Sequence, residues 1–204
     1  MAAFPRTILP SASTIPEFPG PMMSQGGTGR AQLRGANALG RRWVETYNGL
    51  KTSDVNVRAF IATVQNLWSR GVLFDIEHYL LNTKNGGMTG SPTVNGASQS
   101  GSTLAINNAA GSNPVLKAGD LFTLPGMNVV FDVTADAPNL SGGTCTLSIN
   151  PPIPVGQSPA NGAALTYAAP VRFKSVYLCD RPDWPMVSPN VVISGFRLTF
   201  QEQP

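Results

Sequence analysis

A chain of 204 residues with 21 Gly, 18 Pro and 42% hydrophobic side chains can bury a core but carries too many turn formers for long helices, so a β-dominated fold in one large or two small domains is indicated. Lys and Arg number 14 against 11 Asp and Glu, and charged residues make up only 12%, which argues against a nucleic-acid module with its basic stripe and against any strongly electrostatic partner. With a mean hydropathy of -0.01, so low a charge content suits a surface that other subunits cover.

Residues 1–29 hold Pro5, Pro10, Pro16, Pro19 and Pro21, then Gly26, Gly27 and Gly29, with apolar residues in no period. They read as an extended arm that cannot form a core of its own and is either disordered or laid across a neighbour, which then supplies the surface that orders it. The nearest thing to a basic patch, Arg30, Arg34, Arg41 and Arg42, then precedes Trp43 and reads as a solvated or subunit-contacting face. Trp43, Val44, Thr46 and Tyr47 predict a strand over 41–48.

The segment from about Thr52 to Arg70 predicts an amphipathic helix, with Val57, Phe60, Ile61, Val64, Leu67 and Trp68 on its inward face. Thr52 or Ser53 can cap it, Asp54 suits the positive end of its dipole, and Gly71 supplies a left-handed stop. Val72, Phe74 and Ile76 then alternate with Leu73, Asp75 and Glu77 as a strand does. The Gly-, Ser- and Asn-rich stretch 82–101 marks a boundary.

Short strands follow at Thr103–Ile106, Leu121–Leu124, Asn128–Thr134 and Thr144–Ile149, and two longer ones at Val171–Leu178 and Val191–Gln201. The first body is short of strands until the last two join it. The expected architecture is therefore a β-sandwich-like domain of residues 30–82 and 171–204 with the helix at 52–70, and an inserted small β-barrel-like domain of 83–170.

No catalytic or cofactor motif stands out. His78, the sole histidine, reads as a satisfied strand-end residue, and Gly96-Ala97-Ser98-Gln99-Ser100 lacks the closing Gly of a nucleophile elbow. Asp120, Asp132 and Asp136 lack the spacing of a calcium loop and read as turn acids. Gly27-Thr28-Gly29 is too little for a phosphate cradle. Cys145 and Cys179, with no further ligand near them, read as free buried thiols. With no basic region leading into an apolar run and no stretch near the ~20 apolar residues of a membrane span, the chain is read as soluble and unprocessed.

Two stretches resemble the distal tail proteins, or tail hub proteins, of long-tailed phages. One runs from Arg42-Trp43-Val44-Glu45-Thr46-Tyr47 through Leu50-Lys51-Thr52-Ser53-Asp54 and the helix, with Ala59-Phe60, to Arg70-Gly71-Val72-Leu73-Phe74-Asp75. The other comprises Val94–Leu104, Leu116–Thr123, Val133–Asp136 and Thr144–Pro152, and is similar to a module of several phage structural proteins, some coat proteins included. Gly195-Phe196-Arg197-Leu198-Thr199-Phe200 resembles the family's final strand, whereas the N-terminal arm and the 180–189 loop depart from its pattern.

The resemblance implies a virion protein of the tail tip, assembled in the host bacterial cytoplasm, whose copies form a ring, typically of six, where the tail tube meets the tip or baseplate. Its implied partners are itself, the tail tube protein, tail tip or hub proteins, and fibres or receptor-binding proteins, with neither membrane nor specific nucleic acid among them. Arg41, Arg42, Trp43 and Trp184 are the residues taken as contacts. Two rivals stand beside it: a carbohydrate- or receptor-binding β module, and a capsid or decoration protein. No cofactor, metal ligand or catalytic residue is assigned, and a non-enzymatic role is expected.

Overall fold

The computed structural model describes residues 2–18, 22–25, 31–34, 40–81, 83–138, 142–168, 170–182 and 192–203. It is mainly β with one helix, in two compact units: a discontinuous unit of residues 1–79 and 174–204, and an inserted unit of 80–173.

The discontinuous unit contains β1 (Ala2–Ala3), β2 (Ala12–Ser13), β3 (Met22–Gln25), β4 (Ala31–Arg34), β5 (Arg42–Tyr47), β6 (Leu50–Lys51), the helix α1 (Val55–Ser69) and β7 (Phe74–Glu77). After the insertion come β15 (Arg172–Leu178), β16 (Val192–Ile193) and β17 (Phe196–Glu202). Six of these strands form a sheet in the order β1-β7-β15-β17-β5-β2, while β3 pairs with β4 and β6 with β16. In β5 the alternation is strict: Trp43, Glu45 and Tyr47 are buried and Arg42 is exposed, as the period of two requires. Phe196, Leu198 and Phe200 of β17 fall on the same buried side. The last strand candidate is in fact broken into β16 and β17 at Gly195, which holds φ +75.

Helix α1 closes the core with Val57, Phe60, Val64 and Leu67. Two details differ from the sequence reading. Asp54, rather than Thr52 or Ser53, is the N-cap, accepting a bond from the Asn56 amide at 2.8 Å. Trp68 does not join the core: it is 39% exposed, because it sits at the margin of the apolar stripe. The stop is a Schellman turn, with Gly71 at φ +56 donating to the Trp68 carbonyl and Val72 donating to that of Leu67, both at 3.1 Å.

The N-terminal stretch corrects the expectation of an arm without a place of its own. Phe4 is a core residue, with its ring 5.2 Å from Phe200, 5.3 Å from Phe74 and 6.0 Å from Phe60. On one side β1 pairs with β7 in parallel, and the Phe4 amide donates to the Asp75 carbonyl at 2.8 Å. On the other, β2 pairs with β5, the Thr14 amide donates to the Val44 carbonyl at 2.9 Å, and Glu17 and Arg42 exchange both backbone bonds. One segment thus covers both edges of the sheet.

The inserted unit contains β8 (Gly87–Thr89), β9 (Thr93–Val94), β10 (Gly101–Asn107), β11 (Ala110–Ser112), β12 (Leu121–Thr123), β13 (Val130–Val133) and β14 (Cys145–Ile153). Its sheet runs β12-β13-β14-β10-β9. Residues 162–166 reach both edges: Ala164 bridges Thr93 of β9, and Thr166 exchanges two 3.0 Å bonds with Thr123 of β12. The sheet is curled around Leu104, Ile106, Phe122, Phe131, Val133, Leu147 and Ile149, with Phe122 and Phe131 stacked at 5.3 Å. Gln99 acts as a substitute strand residue, its Oε1 accepting from the Ala105 amide at 2.6 Å and its Nε2 donating to the Ala105 carbonyl at 3.1 Å.

In the β8–β11 pair, Gly111 stands at φ +116 with the Gly87 carbonyl where a Cβ would be. Gly111→Ala is expected to lower the stability of the chain by at least about 1–3 kcal/mol, the strain of that φ, with the clash against the Gly87 backbone added to it. Chemical denaturation of the two proteins side by side checks this.

Candidate interaction surface

The residues taken as contacts from sequence separate into two groups. Arg41 and Trp43 are each 1% exposed and belong to the interior of the discontinuous unit, which corrects their assignment to a surface. The guanidinium of Arg41 lies 4.7 Å from the Phe18 ring centre, and Trp43 stacks on Phe200 at 5.4 Å with its edge toward His78. The reason is register: odd-numbered residues of the 41–47 stretch point inward. Arg42 points outward and forms an exposed ion pair with Asp180 at 2.9 Å. Trp184 lies outside the described residues.

Arg42 borders an open depression of about 550 Å³ on the outward side of β5 and β17, lined with Val44, Asp180, Arg181, Ser194, Arg197 and Thr199 among others. Its floor follows from the pairing, because Val44 stands opposite Thr199 and Thr46 opposite Arg197. Three arginines against one aspartate give this face a positive balance. A second depression, of about 320 Å³, is lined by Gln65, Asn66, Trp68, Ser69, Arg181 and Pro182.

A polar cluster that the sequence reading missed lies behind this face. Glu45 is fully buried and takes a two-pronged pair from Arg6, Nη1 to Oε2 at 2.6 Å and Nη2 to Oε1 at 2.8 Å. Arg6 also donates to the Glu77 carbonyl, and Tyr47 Oη donates to Glu45 Oε2 at 2.7 Å. Burial works against the Arg6 charge, but the bond and attraction to Glu45 outweigh it and hold the guanidinium above its ordinary pKa. Burial, then the Glu45 charge, push the Tyr47 hydroxyl far up, so it stays a donor. A glutamate on the inward side of a strand that buries Trp43 and Tyr47 is the signal that marks the cluster. A buried carboxylate needs a cation, and only the fold shows that Arg6 supplies it.

His78 is buried at the end of β7. Its Nε2 donates to the Thr14 carbonyl at 2.8 Å and lies 3.0 Å from Ser13 Oγ, so the histidine is a tie between β7 and the N-terminal segment. Burial pulls its pKa below the ordinary 6.5, against the Thr14 bond. Asp120 is a turn acid, accepting from the amides of Asn85 at 2.6 Å and of Gly86 and Lys117 at 2.9 Å; Asp136 accepts from Ala118 at 3.0 Å. Cys145 is buried, Cys179 half-buried, and both are free thiols whose pKa burial raises. Among the described residues no group of three or more His, Cys, Asp or Glu gathers as for a metal ion, and no helix is long and apolar enough to cross a membrane.

No family model matches the chain, and no curated protein matches it.

Two contrasts test this electrostatic picture. Arg6→Ala strands the Glu45 carboxylate in the interior and is expected to cost about 3–5 kcal/mol, whereas Asp180→Ala at the exposed pair costs less than about 1 kcal/mol. Denaturant titration of both variants measures the difference. His78 has a folded pKa below its unfolded one, so stability is full above pH 6.5 and falls as pH drops through 6.5, because the unfolded chain binds the extra proton. Melting temperatures recorded across that range are expected to fall less steeply for His78→Gln than for the natural chain.

Proposed function

We propose that this chain is a structural component of a phage tail, a protein whose copies form a ring, of six on the pattern of the distal tail proteins it resembles, joining the tail tube to the tip or baseplate. The observation that carries the reading is the order of elements in the discontinuous unit: a strand bearing Trp43, a helix bearing Ala59-Phe60, a glycine turn and a second strand, with a β unit inserted before the closing strands. The order of strand, helix, glycine turn and second strand is the one the resemblance implies, and it supports the reading. The outward face of β5 and β17, with Arg42 and Arg197, is the surface on which contacts between copies are proposed, and the tail tube and tip proteins are the further partners. A head-to-tail contact between copies closes into a ring when its rotation permits.

A second reading, a carbohydrate- or receptor-binding module, draws on the half-exposed Trp68 beside Gln65, Asn66 and Arg181, since an aromatic face with amide and guanidinium donors suits a sugar.

Light scattering of the purified chain across concentration separates the two. The ring reading expects a single closed multiple of 21.5 kDa, reduced toward the monomer by the double variant Arg42→Glu/Arg197→Glu. A persistent monomer that binds glycans through Trp68, and loses them in Trp68→Ala, would overturn it in favour of the second.

A further inference from the structure

One short segment, residues 2–18, supplies both outermost strands of the six-stranded sheet, β1 and β2, and so covers β7 and β5 through pairings of two registered residues each. Its strongest attachments are side chains seated in receptors built by the rest of the unit. Phe4 enters the ring cluster of Phe60, Phe74 and Phe200, and Arg6 reaches the buried Glu45. None of these contacts depends on which chain supplies the segment. Without it, two strands would lose an edge partner, the aromatic pocket would be empty and the buried Glu45 would keep Tyr47 but lose its cation, so the receptor must always be filled.

The connection from this segment to β5 is long. Twenty-four residues separate Glu17 from Arg42, and with β3 and β4 still paired within them the rest is enough to span roughly 45 Å when extended. When Glu17 and Arg42 bridge each other, that connection leaves and returns at one point. If it opens instead, the same Phe4, Arg6 and edge contacts form on a neighbouring copy, and they cancel in the balance between the two arrangements. What then decides is the local concentration of receptors, which is high inside an oligomer.

We propose that residues 2–18 are exchanged between neighbouring copies on assembly, each copy's segment filling the receptor of the next. This rests on the ring reading above and names the tie that holds the ring. The exchange is directional, one segment given and one received per copy, so it closes only when the last copy fills the first.

The test uses the full chain with Cys145→Ala and Cys179→Ala, which removes the native thiols. Ala12→Cys is made in one preparation and Thr46→Cys in another, these residues being partners across β2 and β5. The two are unfolded together, refolded, brought to the concentration at which light scattering reads the oligomer, and oxidised. Exchange predicts a disulfide-linked band at twice the chain mass in the mixture that neither preparation gives alone. The pair Ala3→Cys and Asp75→Cys repeats the measurement at the opposite edge, so that misfolding of one pair does not decide the outcome. An oligomer that gives no linked band in either mixture, while a single chain carrying both Ala12→Cys and Thr46→Cys forms the disulfide within itself, overturns the exchange and leaves the ring standing. A chain that stays at the monomer mass, gives no linked band in either mixture and forms the disulfide within itself in the Ala12→Cys/Thr46→Cys double variant overturns both.

Discussion

Unpaired backbone amides at the edges of a curled sheet are the constraint on which this structure depends. A sheet that does not close leaves two rows of donors and acceptors, and each unit meets the problem in the same way: an irregular segment reaches both edges. In the inserted unit residues 162–166 touch β9 and β12. In the discontinuous unit residues 2–18 touch β7 and β5, and here the segment also delivers a ring to the core and a cation to its buried acid. The energetic weight lies in those side chains, since two registered residues at an edge hold little by themselves.

That arrangement explains what was legible in the sequence. Helix α1 repeats its apolar residues over four turns, and β5, β7, β13 and β14 alternate over enough positions for the period to stand out, so the mainly-β class with one helix could be read from pattern alone. The edge pairings could not. β1 and β2 have two residues each, too few for any period, and Phe4 is a single plug among prolines. The inserted strand β14 continues through Pro151 and Pro152, where composition suggested an end.

At the surface the failure was of another kind. Arg41, Arg42 and Trp43 are taken together as contacts, yet neighbours along a strand point to opposite sides. The register that puts Trp43 against Phe200 also leaves Arg42 outside with Asp180, and a period-two reading of the same residues separates them. Glu45 was equally readable as an acid on the wrong side of its strand. Its partner, thirty-nine positions earlier, was not, because ion pairing across a fold leaves no mark in local pattern.

The chain passes between its two units only twice, near residues 79 and 173, and the strands at those crossings, β7 and β15, are neighbours in one sheet. Each unit has its own sheet, and in each an irregular segment reaches both sides of that sheet. A gene with this layout can trade the stretch between the crossings as a cassette. Recombination at two sites would replace that stretch while most of the six-stranded sheet stays encoded outside it, and lineages sharing the scaffold could then diverge rapidly in the inserted unit alone.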